Sequence, residues 1–243
     1  IVNERAAELT GKPMGNYATV FFDGAFSDDN LFDQAVERTA EILREFLKGA
    51  NSVLAVGLGN ADMTADALGP KVIDRLIVSR HLKDQLPDLY RELALGELAA
   101  LRPGVLGQTG IETAELIRGA AETVSPEAII VFDALASRRA KRLCATVQIS
   151  DTGITPGSGV GNHRSRIDQQ TLGIPVICVG VPTVVDAATL TIDALEKVRD
   201  HMGGDAKALA REWAEDEGNR LREALGGYEN NLVVTPQDID ALI

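Results

Sequence analysis

A three-layer α/β/α fold with a mainly parallel, twisted central sheet is the class that this sequence of 243 residues predicts. Short runs rich in β-branched residues recur along the chain, and several are apolar at consecutive positions, as a strand covered on both faces must be. Segments with apolar residues at helical spacing alternate with those runs, which is the order that builds a parallel sheet.

The first unit joins Tyr17-Ala18-Thr19-Val20-Phe21-Phe22, of strand composition, to a helix over residues 31–47 that places Leu31, Ala35, Ile42, Leu43 and Phe46 on one side. In the second, the β-rich run at residues 53–58 is ended by Gly59-Asn60, and residues 67–82 read as a helix carrying Val72, Ile73, Leu76 and Ile77 on one face. A helix over residues 111–121 then leads into a strand at 128–132. Residues 144–149 and 174–181 are further apolar strands, and the latter feeds a helix from about 185 to 202. Residues 205–225 are helical with dense charge, as in a solvated helix or an oligomer contact. Thr235-Pro236 supplies a helix N-cap with proline at the first helical position, yet the chain stops a few residues later, so the helix reads as cut short. The length fits a single domain spanning residues 1–243.

Lys+Arg 24 against Asp+Glu 36 gives a net charge of -12. With that balance, and no basic run long enough to read as a phosphate-neutralising patch, direct nucleic-acid binding and an anionic membrane surface are not expected. A neutral or basic protein substrate remains open. Cys144 and Cys178 lie in apolar runs without CxxC spacing and read as buried thiols of a reducing compartment. No apolar stretch approaches the ~20 residues of a membrane-spanning helix and no signal peptide precedes the first structured segment, so the expected location is cytoplasmic. The first residue is Ile1, so an upstream segment is expected to be missing.

Several motifs fail on their chemistry. Gly57-Leu58-Gly59 follows a strand, but the third glycine of a dinucleotide fingerprint falls at Asp62, whose carboxylate would repel a pyrophosphate. Asp151-Thr152-Gly153 matches the tripeptide of pepsin-like proteases, which are all-β, and a turn in which Asp151 bonds nearby backbone amides accounts for it. Ser158 lies in a glycine-dense loop, but Pro156 occupies the first glycine's place in a nucleophile elbow. Of the histidines His81, His163 and His201, only His163 falls in a plausible cleft, and none has a paired metal-ligand spacing.

Two carboxylates remain. Asp66 opens the helix after one strand and Asp133 ends another, and in a doubly wound sheet both positions face the crevice at the carboxyl ends of the strands. Carboxylates held close cannot both ionise easily, which suits one as general acid and the other as general base. The alternatives are that Asp66 is a helix N-terminal carboxylate and that Asp133 caps the segment after it.

The sequence resembles the germination proteases of spore-forming bacteria. The resemblance rests on Val56-Gly57-Leu58-Gly59-Asn60 with Asp66-Ala67-Leu68-Gly69-Pro70, Thr109-Gly110-Ile111-Glu112-Thr113, Asp133-Ala134-Leu135-Ala136, Gln148-Ile149-Ser150-Asp151, Pro156-Gly157-Ser158-Gly159-Val160-Gly161-Asn162 and Pro182-Thr183-Val184-Val185-Asp186-Ala187, and it runs from about Gly11 to Ala187. It implies an endopeptidase that degrades small acid-soluble spore proteins during germination, by an atypical aspartic mechanism without metal or cofactor. Asp66 and Asp133 fall on the essential aspartates, with Asn60, Asp151 and His163 as supporting candidates. It also implies a zymogen, a homotetramer, residence in the spore core and a fold related to the hydrogenase maturation proteases, with the N-terminal propeptide region and a C-terminal helix absent from this chain. Two alternatives stand beside it. One is a metal-dependent maturation-type peptidase using Asp66, Asp133 and His163, and the other a non-catalytic module that binds a small anion or nucleotide at residues 157–161.

Overall fold

The computed structural model describes residues 1–22, 29–157, 164–201, 233–236 and 239. Among these, seven strands form one sheet: β1 (Tyr17–Phe21), β2 (Ser52–Gly57), β3 (Glu97–Leu101), β4 (Ala128–Ser137), β5 (Thr146–Ser150), β6 (Val176–Asp186) and β7 (Val233–Val234), and the helices in chain order are α1 (Glu4–Thr10), α2 (Asp29–Leu47), α3 (Leu68–Arg75), α4 (Leu82–Gln85), α5 (Pro87–Glu92), α6 (Leu106–Thr109), α7 (Thr113–Val124), α8 (Gln169–Leu172) and α9 (Ala187–His201). Their order is β1-β5-β6-β4-β2-β3, with β7 paired to the end of β6. β6, β4, β2 and β3 are mutually parallel, and the pairs β5–β6, β1–β5 and β6–β7 are antiparallel.

The near-continuous apolar runs of β2, β4 and β6 are buried because both faces of the sheet are covered. On one face Leu54, Val56, Ile129, Val131, Val176 and Cys178 meet Ala114, Ile117 and Ala121 of α7 (Thr113–Val124), three buried positions spaced as one helical stripe. On the other, Val53, Ile130, Ile177 and Val179 pack with Ile42, Leu43 and Phe46 of α2 (Asp29–Leu47). The α/β/α layering and the mainly parallel sheet are those expected from the sequence.

β2 has β3 on one side and β4 on the other, so the winding of the chain reverses between β2 and β4. Open α/β sheets form their crevice at such a switch point, outside the carboxyl ends of the strands. Helix α3 (Leu68–Arg75) closes one side of it, set so near the sheet that a Cβ on Gly69 would stand 2.2 Å from the Leu58 carbonyl oxygen and 2.6 Å from that of Phe132.

Four local expectations are corrected. The helix expected over residues 67–82 ends at Arg75, because residues 76–80 leave it to seal the outer edge of β3. There the Ser79 and Arg80 amides donate to the Leu98 carbonyl at 3.0 and 3.1 Å, and the Ser79 hydroxyl takes the Leu98 amide at 3.0 Å and donates to the Gly96 carbonyl. β3 itself was not anticipated, since Glu97-Leu98-Ala99-Ala100-Leu101 lacks β-branched residues and its pairing to β2 makes it a strand. β4 runs on past Asp133 to Ser137, because β6 continues beside it to Val185. Basic side chains do gather after β4, as Arg138, Arg139, Lys141 and Arg142; Arg139 is taken up by Asp193 and Glu196 of α9 (Ala187–His201). The charged helix expected at 205–225 lies outside the described residues.

Candidate active site

Asp66 and Asp133 come to the crevice by different routes. β2 makes its last pairing where Gly57 faces Phe132, and the Leu58 amide then donates to the Phe132 carbonyl at 2.8 Å, so the chain leaves the sheet beside the residue that precedes Asp133. Gly59 follows at φ +108°, and a Cβ there would stand 2.0 Å from the Asp66 carbonyl oxygen, which only glycine avoids. A 3-10 turn, Thr64–Asp66, then brings Asp66 back over the strand end.

The Asp66 carboxylate accepts the Asn60 backbone amide at 2.8 Å, while α3 begins at Leu68 with Ala67 as its N-cap and no side-chain cap bond. Asp66 is therefore not the N-cap of α3. Asp133 lies inside β4, opposite Gly180 of β6, and does not end the element as the capping alternative required. It shares a face with Ile129 and Val131 by strand alternation, the face that α7 covers.

The two carboxylates have unlike surroundings. Asp133 is 7% exposed. Burial first, and the charge of Asp66 second, push its carboxyl up to about 8, against a backbone bond from Ala134 that favours the charged form. Asp66 is half-buried; burial raises its pKa also, and the Asn60 amide opposes that rise. Both shifts favour retention of a proton, and the larger one falls on the more deeply buried Asp133. Beneath Asp133 on the same face, burial holds the Cys178 thiol up at about 12, with the Asp133 charge adding to it, so Cys178 is an inert wall of the site.

A model of the germination protease family matches residues 1–215. The chain belongs to the germination protease family. The germination protease of Clostridium perfringens strain ATCC 13124 is 43% identical over 253 aligned residues, covering 100% of this chain and 78% of that protein. That of Caldanaerobacter subterraneus subsp. tengcongensis is 44% identical over 253, and that of Bacillus cytotoxicus 39% over 286, each with the same coverage. Among solved structures, a NiFe hydrogenase maturation protease from Thermococcus kodakarensis KOD1 matches with a TM-score of 0.37 at 16% identity, over 76% of this chain and 99% of that one. As a member of the germination protease family, the chain is a peptidase.

The supporting candidates of this family member separate in space. Asn60 reaches the pair through its backbone amide, while its side-chain oxygen accepts from the Asp62 amide at 3.0 Å and from Gln108 at 3.1 Å. Asp151 is not brought to the pair. It follows Ser150, which faces Cys178, and so lies toward the start of β6, roughly 10 Å along the strand from Gly180. There it clamps the chain before β1, accepting the Asn16 backbone amide at 2.8 Å and the Asn16 side chain at 2.7 Å, and not the nearby amides of its own turn. His163 lies outside the described residues, as does most of its glycine-dense loop. Among the described residues, no three His, Cys, Asp or Glu side chains form a group that could hold a metal ion, and no helix is long and apolar enough to cross a membrane.

Sequence reasoning passed over Thr183, whose hydroxyl donates to the Ala65 carbonyl at 2.6 Å. The signal was present: a hydroxyl after proline within an otherwise apolar run must find a partner when buried.

Proposed function

We propose that this member of the germination protease family is an endopeptidase in which Asp66 and Asp133 activate water without a metal, and that it degrades small acid-soluble spore proteins in the spore core during germination. The observation that carries the reading is the asymmetry of the pair. One carboxyl is deeply buried with a pKa pushed up to about 8, and beside it stands a half-buried carboxylate held by a backbone amide.

In this reading the ionised Asp66 takes a proton from water as the oxygen attacks the scissile carbonyl carbon. Asp133 gives its proton to the carbonyl oxygen, so that no free oxyanion develops in the buried crevice. When the tetrahedral intermediate collapses, the C–N bond breaks, the leaving nitrogen takes the proton from Asp66, and one hydroxyl proton returns to Asp133. Both carboxyls end in their starting states. The substrate class, and with it the zymogen and tetramer that the family resemblance implies, are part of the same proposal.

Asp66→Asn and Asp133→Asn, assayed on a purified small acid-soluble spore protein after chelator treatment, test it. Each substitution is expected to cut kcat by roughly 10³-fold or more while circular dichroism stays that of the parent, since each removes one half of an acid–base pair. The parent is expected to keep its rate in the chelator. Parental activity in Asp133→Asn, or a parent rate that vanishes with chelator and returns with a divalent ion, contradicts the proposal.

A further inference from the structure

We infer that Thr183 is a positioning residue for the carboxylate pair, its hydroxyl re-aimed by a bulge in β6 so that it fixes the turn carrying Asp66 against the strand beside Asp133. The inference rests on the reading of the pair given above. β4 and β6 stay in register from Ile129 opposite Val176 to Leu135 opposite Pro182, and the next residue of β4, Ala136, faces Val184. Thr183 is therefore the extra residue, and a bulge of this kind turns a side chain out of the alternation that its neighbours follow.

Thr183 is 1% exposed, and a hydroxyl so deeply buried must find an acceptor. The acceptor at 2.6 Å is the carbonyl of Ala65, the residue immediately before Asp66. The other side of the bulge is also held, since the Thr183 carbonyl accepts from the Thr235 hydroxyl at 2.9 Å, just after β7. A line of hydrogen bonds thus runs from Thr235 through Thr183 to the peptide that carries Asp66.

A three-residue 3-10 turn is weak on its own, and the Asp66 carboxylate has to hold its place relative to a partner on a different strand. The bond from Thr183 supplies that constraint from β6, the direct neighbour of β4. Without it both aspartates keep their chemistry, but the turn loses its tie to β6 and the Ala65 carbonyl loses that donor. Displacements of about 1 Å in such arrangements cost on the order of 10²-fold in rate.

Three substitutions separate position from packing. Thr183→Val removes the hydroxyl at nearly constant volume, Thr183→Ala removes it without crowding, and Thr183→Ser keeps it. With a small acid-soluble spore protein as substrate, kcat is expected to fall about tenfold or more in the Val and Ala variants with KM within about twofold, while the Ser variant stays within about threefold of the parent. If circular dichroism finds the Val variant unfolded, the comparison of Ala with Ser decides alone. Parental kcat in the Ala variant, a loss carried by KM only, or an equal loss in the Ser variant overturns the inference. Asp133→Asn is measured alongside. If it is inactive while Thr183→Ala is fully active, the positioning role alone fails; if Asp133→Asn is itself active, the reading of the pair fails.

Discussion

Burial pushes the Asp133 carboxyl up to about 8, and that has a consequence for stability with a definite sign. Its carboxyl titrates near the ordinary 3.8 in the unfolded chain and at about 8 in the folded protein. Between those values the folded state binds the extra proton, so this group's contribution falls as pH rises, by up to about 1.4 kcal/mol per pH unit. Below the lower value both states are protonated and the contribution is level. Asp133→Asn removes the titration, so the variant is expected to gain stability relative to the parent steadily from pH 4 to pH 8, as read by denaturant unfolding at each pH. A constant difference across that window would show that Asp133 does not titrate there. The same residue sets the alkaline limb of activity: kcat is expected to decline as pH passes about 8 and the pair loses its proton.

At the scale of elements, the site depends on how closely α3 approaches the ends of β2 and β4. Gly69→Ala places a Cβ against backbone oxygens of Leu58 and Phe132, neither of which is the end of a flexible side chain. The helix must back away, with a loss expected at about 1–3 kcal/mol, the usual cost of over-packing, and a fall in activity because the turn bearing Asp66 precedes the helix. Gly119, in the exposed middle of α7, has nothing within 4 Å of its Cβ position. Gly119→Ala is expected to stabilise by about 0.5–1 kcal/mol with kcat unchanged. Thermal melts and one assay distinguish the two glycines, and equal effects would contradict the packing described. The elements that sequence reasoning placed well are those whose own pattern decides them: the apolar run of β2 and the helix expected over residues 111–121, whereas β6 outruns its expected end at 181 to reach Asp186. It failed where tertiary bonds overrule local preference. Residues 76–80 have a helical pattern but serve the edge of β3, and residues 97–101 have a helix former's composition but pair with β2.

For the whole molecule, a net charge of -12 surrounds a candidate site built on two carboxyl groups. For a substrate of net positive charge, kcat/KM is expected to fall as salt screens the long-range attraction, over a Debye length of about 10 Å at 0.1 M, while kcat holds. Rates insensitive to salt would deny the field a part in capture. Of the candidate site, the placement of Asp66 and Asp133 at one crevice was legible, because strand ends at a switch point are fixed by the order of elements. Their unlike surroundings were not. What sets the two environments apart is the Asn60 amide on one and the closed face of the sheet around the other, and Asp151, in sequence only a supporting candidate, clamps Asn16 instead.

The central claim is that Asp133 carries the proton of the pair beside a charged Asp66, and carbon-13 NMR of the aspartate carboxyl carbons, titrated in the parent and in Asp66→Asn, tests it most directly. The account predicts that the Asp133 signal titrates near 8 in the parent and at lower pH, though still above the ordinary 3.8, once the neighbouring charge is gone. An Asp133 that titrates near 3.8 in the parent, or is unmoved by the loss of Asp66, would contradict it.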